Sequence, residues 1–127
     1  MRIAGHGIDL VEVARIARLV DEHGQRFLDR CFTAHEQQCA QDTKRRNEHL
    51  AARFAAKEAV LKALGTGLTG GIAWTDIEVV RQDSGAPSIH LHNEAAKLAA
   101  SSGVTRWLVS LTHTGGHAAA SVIAVAD

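Results

Sequence analysis

Tyrosine is absent from the 127 residues, proline occurs once, cysteine twice, and aromatic residues total 4%. So few aromatics leave no stacking platform for single-stranded nucleic acid, and Trp74 and Trp107 are expected in a core or an interface. Two cysteines, Cys31 and Cys39, cannot staple a small scaffold and lack zinc-ligand spacing. Both are expected as buried free thiols in a reducing compartment. No stretch approaches the length of apolar sequence that a membrane-spanning helix needs. The first residues, interrupted by Gly5, Gly7 and Asp9, lack the apolar core of a signal peptide, so the expected location is the cytoplasm. Net charge is missing too: 14 Lys and Arg balance 14 Asp and Glu. That balance argues against a wholesale polyanion binder, although a neutral chain can still carry a basic face.

What is present suits one α+β domain. Apolar residues make up 46% of the chain, enough to bury a core at this length. Met1 to Ile8 reads as a strand, and Val13, Ile16, Ala17 and Val20 follow at helical spacing. Gly24 breaks that helix and a short one runs from Gln25 to Phe32. Thr33-Ala34-His35-Glu36 fits a capping box for a third helix, which ends near Gln41. The polar stretch from Gln41 to Glu48 is the expected loop before a central helix, Glu48 to Leu64. That helix carries a stripe of small residues, Ala52, Ala56, Ala59, Val60 and Ala63, with Gly65 as its C-cap. Ile77–Arg81 and Ser88–His92 are expected strands about an Asp83-Ser84-Gly85 turn. Asn93 to Ser102 is an alanine-rich helix. Arg106–Thr112 and His117–Val125 form a closing hairpin around Thr114-Gly115-Gly116. Helices come mostly early and antiparallel strands late, on a small sheet.

Several side chains carry two readings. Asp9-x-x-Glu12 is itself a capping pattern, so Asp9 either caps the first helix or binds a ligand. Glu58 and Lys62 are four apart, in the order that favours a solvated helix ion pair. They also lie on one helix face, about 6 Å apart along the axis. A metal-binding carboxylate and a phosphate-binding ammonium at that separation match the reach of a diphosphate. Magnesium suits such a site, because it takes one or two carboxylates and fills its octahedron with water and phosphate oxygens. His90 and His92 share a strand face as paired metal ligands can, but no third ligand at a recognised spacing accompanies them.

Two signatures carry a family resemblance. The first is a strand ending in Gly-x-Asp, here Gly7-Ile8-Asp9-Leu10-Val11-Glu12. The second is Phe54-Ala55-Ala56-Lys57-Glu58-Ala59-Val60-Leu61-Lys62, followed by Gly65-Thr66-Gly67. Weaker matches run through Phe32-Thr33-x-x-Glu36, Gly85-Ala86-Pro87 and Ser110-Leu111-Thr112-His113. Together they cover essentially the whole chain, which resembles the holo-acyl-carrier-protein synthases, the small type of 4′-phosphopantetheinyl transferase.

The resemblance implies transfer of phosphopantetheine from coenzyme A to a serine of an acyl carrier protein, with release of adenosine 3′,5′-bisphosphate. It implies Mg²⁺ held by Asp9 and Glu58, and Lys62 offsetting charge on the diphosphate. Glu58, directly or through a water on the metal, is the implied acceptor of the serine proton. His113 is an implied phosphate contact, with Arg53 and Lys57 as helpers. A homotrimer with sites between subunits is implied as well. The carrier protein, which is acidic, would meet a basic first-helix face formed by Arg15, Arg18 and Arg26, with Arg30 further on. Glu22 falls among these positions, where another basic residue would strengthen the face. The alternative is a non-catalytic module on the same fold that binds coenzyme A or a carrier protein. Retention of both carboxylates and Lys62 favours the enzyme.

Overall fold

The computed structural model describes residues 1–41 and 44–127, so positions 42 and 43 of the expected loop lie outside the described residues. The order is β1 (Arg2–Glu12), α1 (Val13–His23), α2 (Gln25–Cys31), α3 (Ala34–Gln41) and α4 (Arg46–Leu64). A single 3₁₀ turn at Trp74–Asp76 leads to β2 (Ile77–Arg81), β3 (Pro87–Leu91), α5 (Asn93–Ser101), β4 (Arg106–His113) and β5 (His117–Ala126). The strands form two antiparallel sheets, β1-β5-β4 and β2-β3. The α+β expectation therefore holds. None of the helices is long and apolar enough to cross a membrane among the described residues.

The first strand runs four residues beyond the expected end. Its pairing with β5 continues through Asp9↔Ala120 and Val11↔Ala118 to Glu12↔His117. Asp9 is thus a strand residue, and the capping reading of Asp9-x-x-Glu12 fails. Helix α1 begins at Val13 with no side-chain cap, and the Val13 N–H donates to the carbonyl of Gly116 in the hairpin turn. The long β5 offers backbone partners all the way to Glu12, and this ladder outweighs the local capping pattern. The capping box at α3 is present: the Glu36 N–H donates to Thr33 Oγ1 (3.2 Å) and the Thr33 N–H to Glu36 Oε1 (2.9 Å).

Helix α4 is the centre of the molecule. Leu50 to Lys57 and Ala59 to Leu61 are all buried, which leaves Glu58 as the one residue in that run to reach a surface. A helix covered on every side has no polar face. It packs on β1, β5 and β4 on one flank and on α1, α3 and β2 on others. Gly65 ends it in the left-handed conformation at φ 79°, its N–H donating to Leu61 and Lys62 carbonyls. The approach of β1 to α4 is close enough to exclude side chains: a Cβ at Gly5 would collide with the Ala63 carbonyl, and one at Gly7 with the Ala59 carbonyl. Small residues on both elements let two backbones touch.

Because neither backbone can retreat without breaking its ladder, Gly7→Ala is expected to cost about 3 kcal/mol. Urea unfolding of the variant checks this; an unchanged midpoint would mean that β1 can lift away from the helix.

Candidate functional site

Residues 5, 7, 9 and 11 of β1 turn toward α4, and the glycines clear the way for Asp9 to meet the last turns of that helix. Lys62 Nζ donates to Asp9 Oδ1 (2.9 Å) and to the Ile8 carbonyl (2.9 Å). The lysine thus reaches across to β1 instead of standing as a solvated helix pair with Glu58. Burial first, then the charge and hydrogen bonding of Asp9, push the Glu58 carboxyl above its usual range, while Arg15 and Lys62 pull it down. Asp9 Oδ2 is buried without a hydrogen-bond partner among the described residues. Two facing carboxyl groups, one with an orphaned oxygen, form an electrostatic gap that a hard cation fits. No three or more His, Cys, Asp or Glu side chains gather as a metal cage among the described residues. A magnesium ion that keeps water and phosphate ligands needs only two.

A second cluster lies elsewhere. Arg53, Arg81, His49 and His113 line a pocket of about 310 Å³ together with Ser110 and Pro87. Arg53 is buried, its Nε has no hydrogen-bond partner among the described residues, and one guanidinium N–H reaches the His49 carbonyl at 3.4 Å. Five residues along a helix turn the side chain by about 140°, so Arg53 and Glu58 leave α4 in different directions. Asp9 belongs to edge strand β1 and His113 to the opposite edge strand β4. One chain therefore brings Asp9, Glu58 and Lys62 together and keeps Arg53 and His113 apart from them.

Lys57 corrects the expectation of a phosphate helper. Its ammonium is enclosed, paired with Glu36 at 2.7 Å and bonded to the Trp74 carbonyl (3.1 Å) and the Ile77 carbonyl. Glu36 Oε2 in turn accepts from the Val79 N–H at 2.9 Å. The pair clasps α3, α4 and β2. Its reach is inward because position 57 on a helix covered all round has no solvent face. Burial draws the ammonium below its ordinary range and Glu36 opposes that shift.

The basic groove is partly as expected. Arg15, Arg26 and Arg30 border a groove of about 460 Å³ with Leu19, Phe27 and Phe54 on its apolar side. The Arg15 guanidinium sits 5.9 Å over the Phe54 ring, and its charge also bears on Glu58. Arg18 is exposed but lies outside the groove lining. Cys31 is buried, whereas Cys39 is exposed beside His35 and corrects the expectation of two buried thiols. His92 contacts Glu78 (3.1 Å) while His90 is exposed. Sequence reading missed His49 and Arg81; only their helical and strand spacing to Arg53 and Val79 could have pointed to them.

Known proteins resemble the chain over nearly its whole length. The profile of the 4′-phosphopantetheinyl transferase superfamily matches residues 5–122. A holo-[acyl-carrier-protein] synthase of Geobacter sulfurreducens is 46% identical over 121 residues, covering 95% of this chain and 96% of the relative. Among solved structures, the holo-[acyl-carrier-protein] synthase of Neisseria meningitidis superposes with a TM-score of 0.89 at 32% identity, over 98% of this chain and 99% of the other. That of Helicobacter pylori, in complex with coenzyme A, gives 0.83 at 30% identity over 94% and 99%.

A carboxyl whose pKa is raised by folding weakens the fold once it ionises. Glu58→Gln is therefore expected to raise the urea midpoint at pH 7 in the presence of EDTA. The gain should shrink as pH falls and vanish below the unfolded value of 4.5, where Glu58 is protonated in both states. A gain that is independent of pH would deny the repulsion.

Proposed function

The chain belongs to the 4′-phosphopantetheinyl transferase superfamily, and from that premise we propose how its residues carry the reaction. It transfers the 4′-phosphopantetheine group from coenzyme A to a serine of apo-acyl carrier protein, a step of fatty acid biosynthesis. The serine oxygen forms a bond to the phosphorus that bears pantetheine. The diphosphate bridge to the nucleotide breaks, and adenosine 3′,5′-bisphosphate leaves. The observation that carries the assignment of the site is the meeting of Asp9, Glu58 and Lys62 across the β1–α4 contact.

In this reading Asp9 and Glu58 hold Mg²⁺, which when bound offsets the charge on the diphosphate. Lys62, half exposed, swings from Asp9 and the Ile8 carbonyl to a phosphate oxygen. Glu58 is the candidate acceptor of the serine proton, since it alone reaches the surface from the buried run of α4. Arg15, beside Glu58, and Arg26 present a basic rim to an acidic carrier protein, with Phe27 and Phe54 beneath it. The Arg53–His113 pocket takes the other phosphate of coenzyme A, the ribose 3′-monoester.

The two clusters lie at opposite edges of one sheet, and a homotrimer resolves that separation by setting the pocket of one subunit beside the carboxylates of the next. The outer face of the sheet supports this: Ile8 is 60% exposed, Leu10 67% and Leu108 46%, an apolar surface that favours a covering. The Cys31 and Cys39 thiols suit a reducing cytoplasm, which cell fractionation checks.

Intact-protein mass spectrometry of an apo-carrier protein with coenzyme A and Mg²⁺ tests the assignment. Wild type should add one phosphopantetheine and lose that ability in EDTA. Asp9→Ala and Glu58→Ala should abolish transfer by folded protein, while Arg15→Glu should raise KM for the carrier and leave that for coenzyme A. No gain by wild type while coenzyme A still binds would leave a binding module in place of an enzyme. Near-normal activity of either carboxylate variant would sink the site.

Sites shared between subunits predict complementation. Arg53→Ala and Glu58→Ala chains, each impaired alone, should recover part of the activity when unfolded and refolded together. No recovery, with mixed oligomers demonstrated, would place each site within one chain.

A further inference from the structure

The Arg53 pocket contains more positive potential than its expected members supply. His49 stands one turn before Arg53 on α4, half-buried in the pocket wall, and its ring centroid is 5.5 Å from that of His113 on β4. Arg53 lies beside it on the same helix and Arg81 faces it from β2. Among the described residues Glu48 is the acid that bears on it, and that carboxylate is also 3.9 Å from His113 Nδ1. Burial, then Arg53, His113 and Arg81, push the His49 imidazole below its ordinary range, with Glu48 opposing. The buried Arg53 Nε has no hydrogen-bond partner among the described residues. Cationic and proton-accepting groups thus converge on a small open space from α4, β2 and β4, where they oppose one another until an anion arrives.

We infer that His49 is a further binding residue of this pocket, one that takes up a proton when a phosphate monoester enters and then donates to it beside His113. The inference rests on the pocket being the receptor for the ribose 3′-phosphate of coenzyme A. A dianionic phosphate reverses the electrostatic environment of the ring: the Arg53 and Arg81 guanidinium groups oppose its protonation before binding, and an adjacent anion favours it afterwards. Binding and proton uptake are then linked, and the grip on the nucleotide end of coenzyme A depends on pH through His49.

Calorimetric titration with coenzyme A, run at pH 7 in buffers of different ionisation enthalpy, counts the protons exchanged. Ionisation of the ligand is common to wild type and His49→Gln and cancels in their difference. Wild type should take up more protons than the variant, with a difference on the order of half to one proton. The variant should bind coenzyme A about tenfold more weakly at pH 6, the loss of one charge-assisted hydrogen bond. In wild type, the His49 ring proton followed by NMR should titrate at higher pH with coenzyme A bound than without, a readout that needs no variant to fold. Equal proton counts and an unmoved His49 resonance would overturn the inference. Dephospho-coenzyme A separates the two levels of the reading. If it binds as tightly as coenzyme A, the pocket is not the 3′-phosphate receptor. If it binds more weakly while His49 stays silent, the receptor stands and only the role of His49 falls.

Discussion

The contact between the backbones of β1 and α4 is the constraint on which the rest depends. Gly5 and Gly7 bring the strand against the carbonyls of Ala63 and Ala59, and that proximity is the only reason a carboxylate on residue 9 can reach residues 58 and 62. The alanines of α4 serve the same end from the other side. A larger residue at either place would separate the elements by the width of a side chain, and the Lys62–Asp9 bond would be lost. Site chemistry here is set by the absence of side chains as much as by their presence.

The electrostatics follow from the same closeness. Burial and the two facing carboxyl groups raise the cost of charge on Glu58, and Asp9 retains an oxygen with no donor. A fold selected only for stability would not keep this arrangement. The strain is concentrated where the proposed cation and diphosphate would relieve it, while Glu36 and Lys57 in the core satisfy each other and the backbone around them. Opposed charge placed at a surface and matched charge placed in the core are two uses of the same acid and base chemistry within one helix.

Much of this was legible in the chain, for identifiable reasons. Gly7-Ile8-Asp9 marks a strand passing close to another element, and the alanine stripe identifies that element. The capping box at Thr33–Glu36 could be read because it is local. The reading of Asp9 as a helix cap failed because the competing partner, β5, lies more than a hundred residues away and leaves no trace in the local pattern. Lys57 misled for a related reason: helical periodicity places it one position from Glu58, but only the tertiary fold shows that α4 is buried all round. His49 and Arg81 escaped notice because their convergence with Arg53 and His113 joins three elements distant in sequence.

The enclosed Lys57–Glu36 pair has a chemical consequence. Lys57 and Lys62 stand five residues apart on one helix, yet an amine-directed reagent in solution meets only the second. Lys57 is fully covered and hydrogen-bonded on three sides, so it escapes acylation and reductive methylation for as long as the fold is intact. Lys62, more than half exposed, is open to both and would be shielded by the phosphate proposed to bind it. The nucleophilicity of these two amines thus reports on different things: that of Lys62 on occupancy, and that of Lys57 on whether the chain is folded at all.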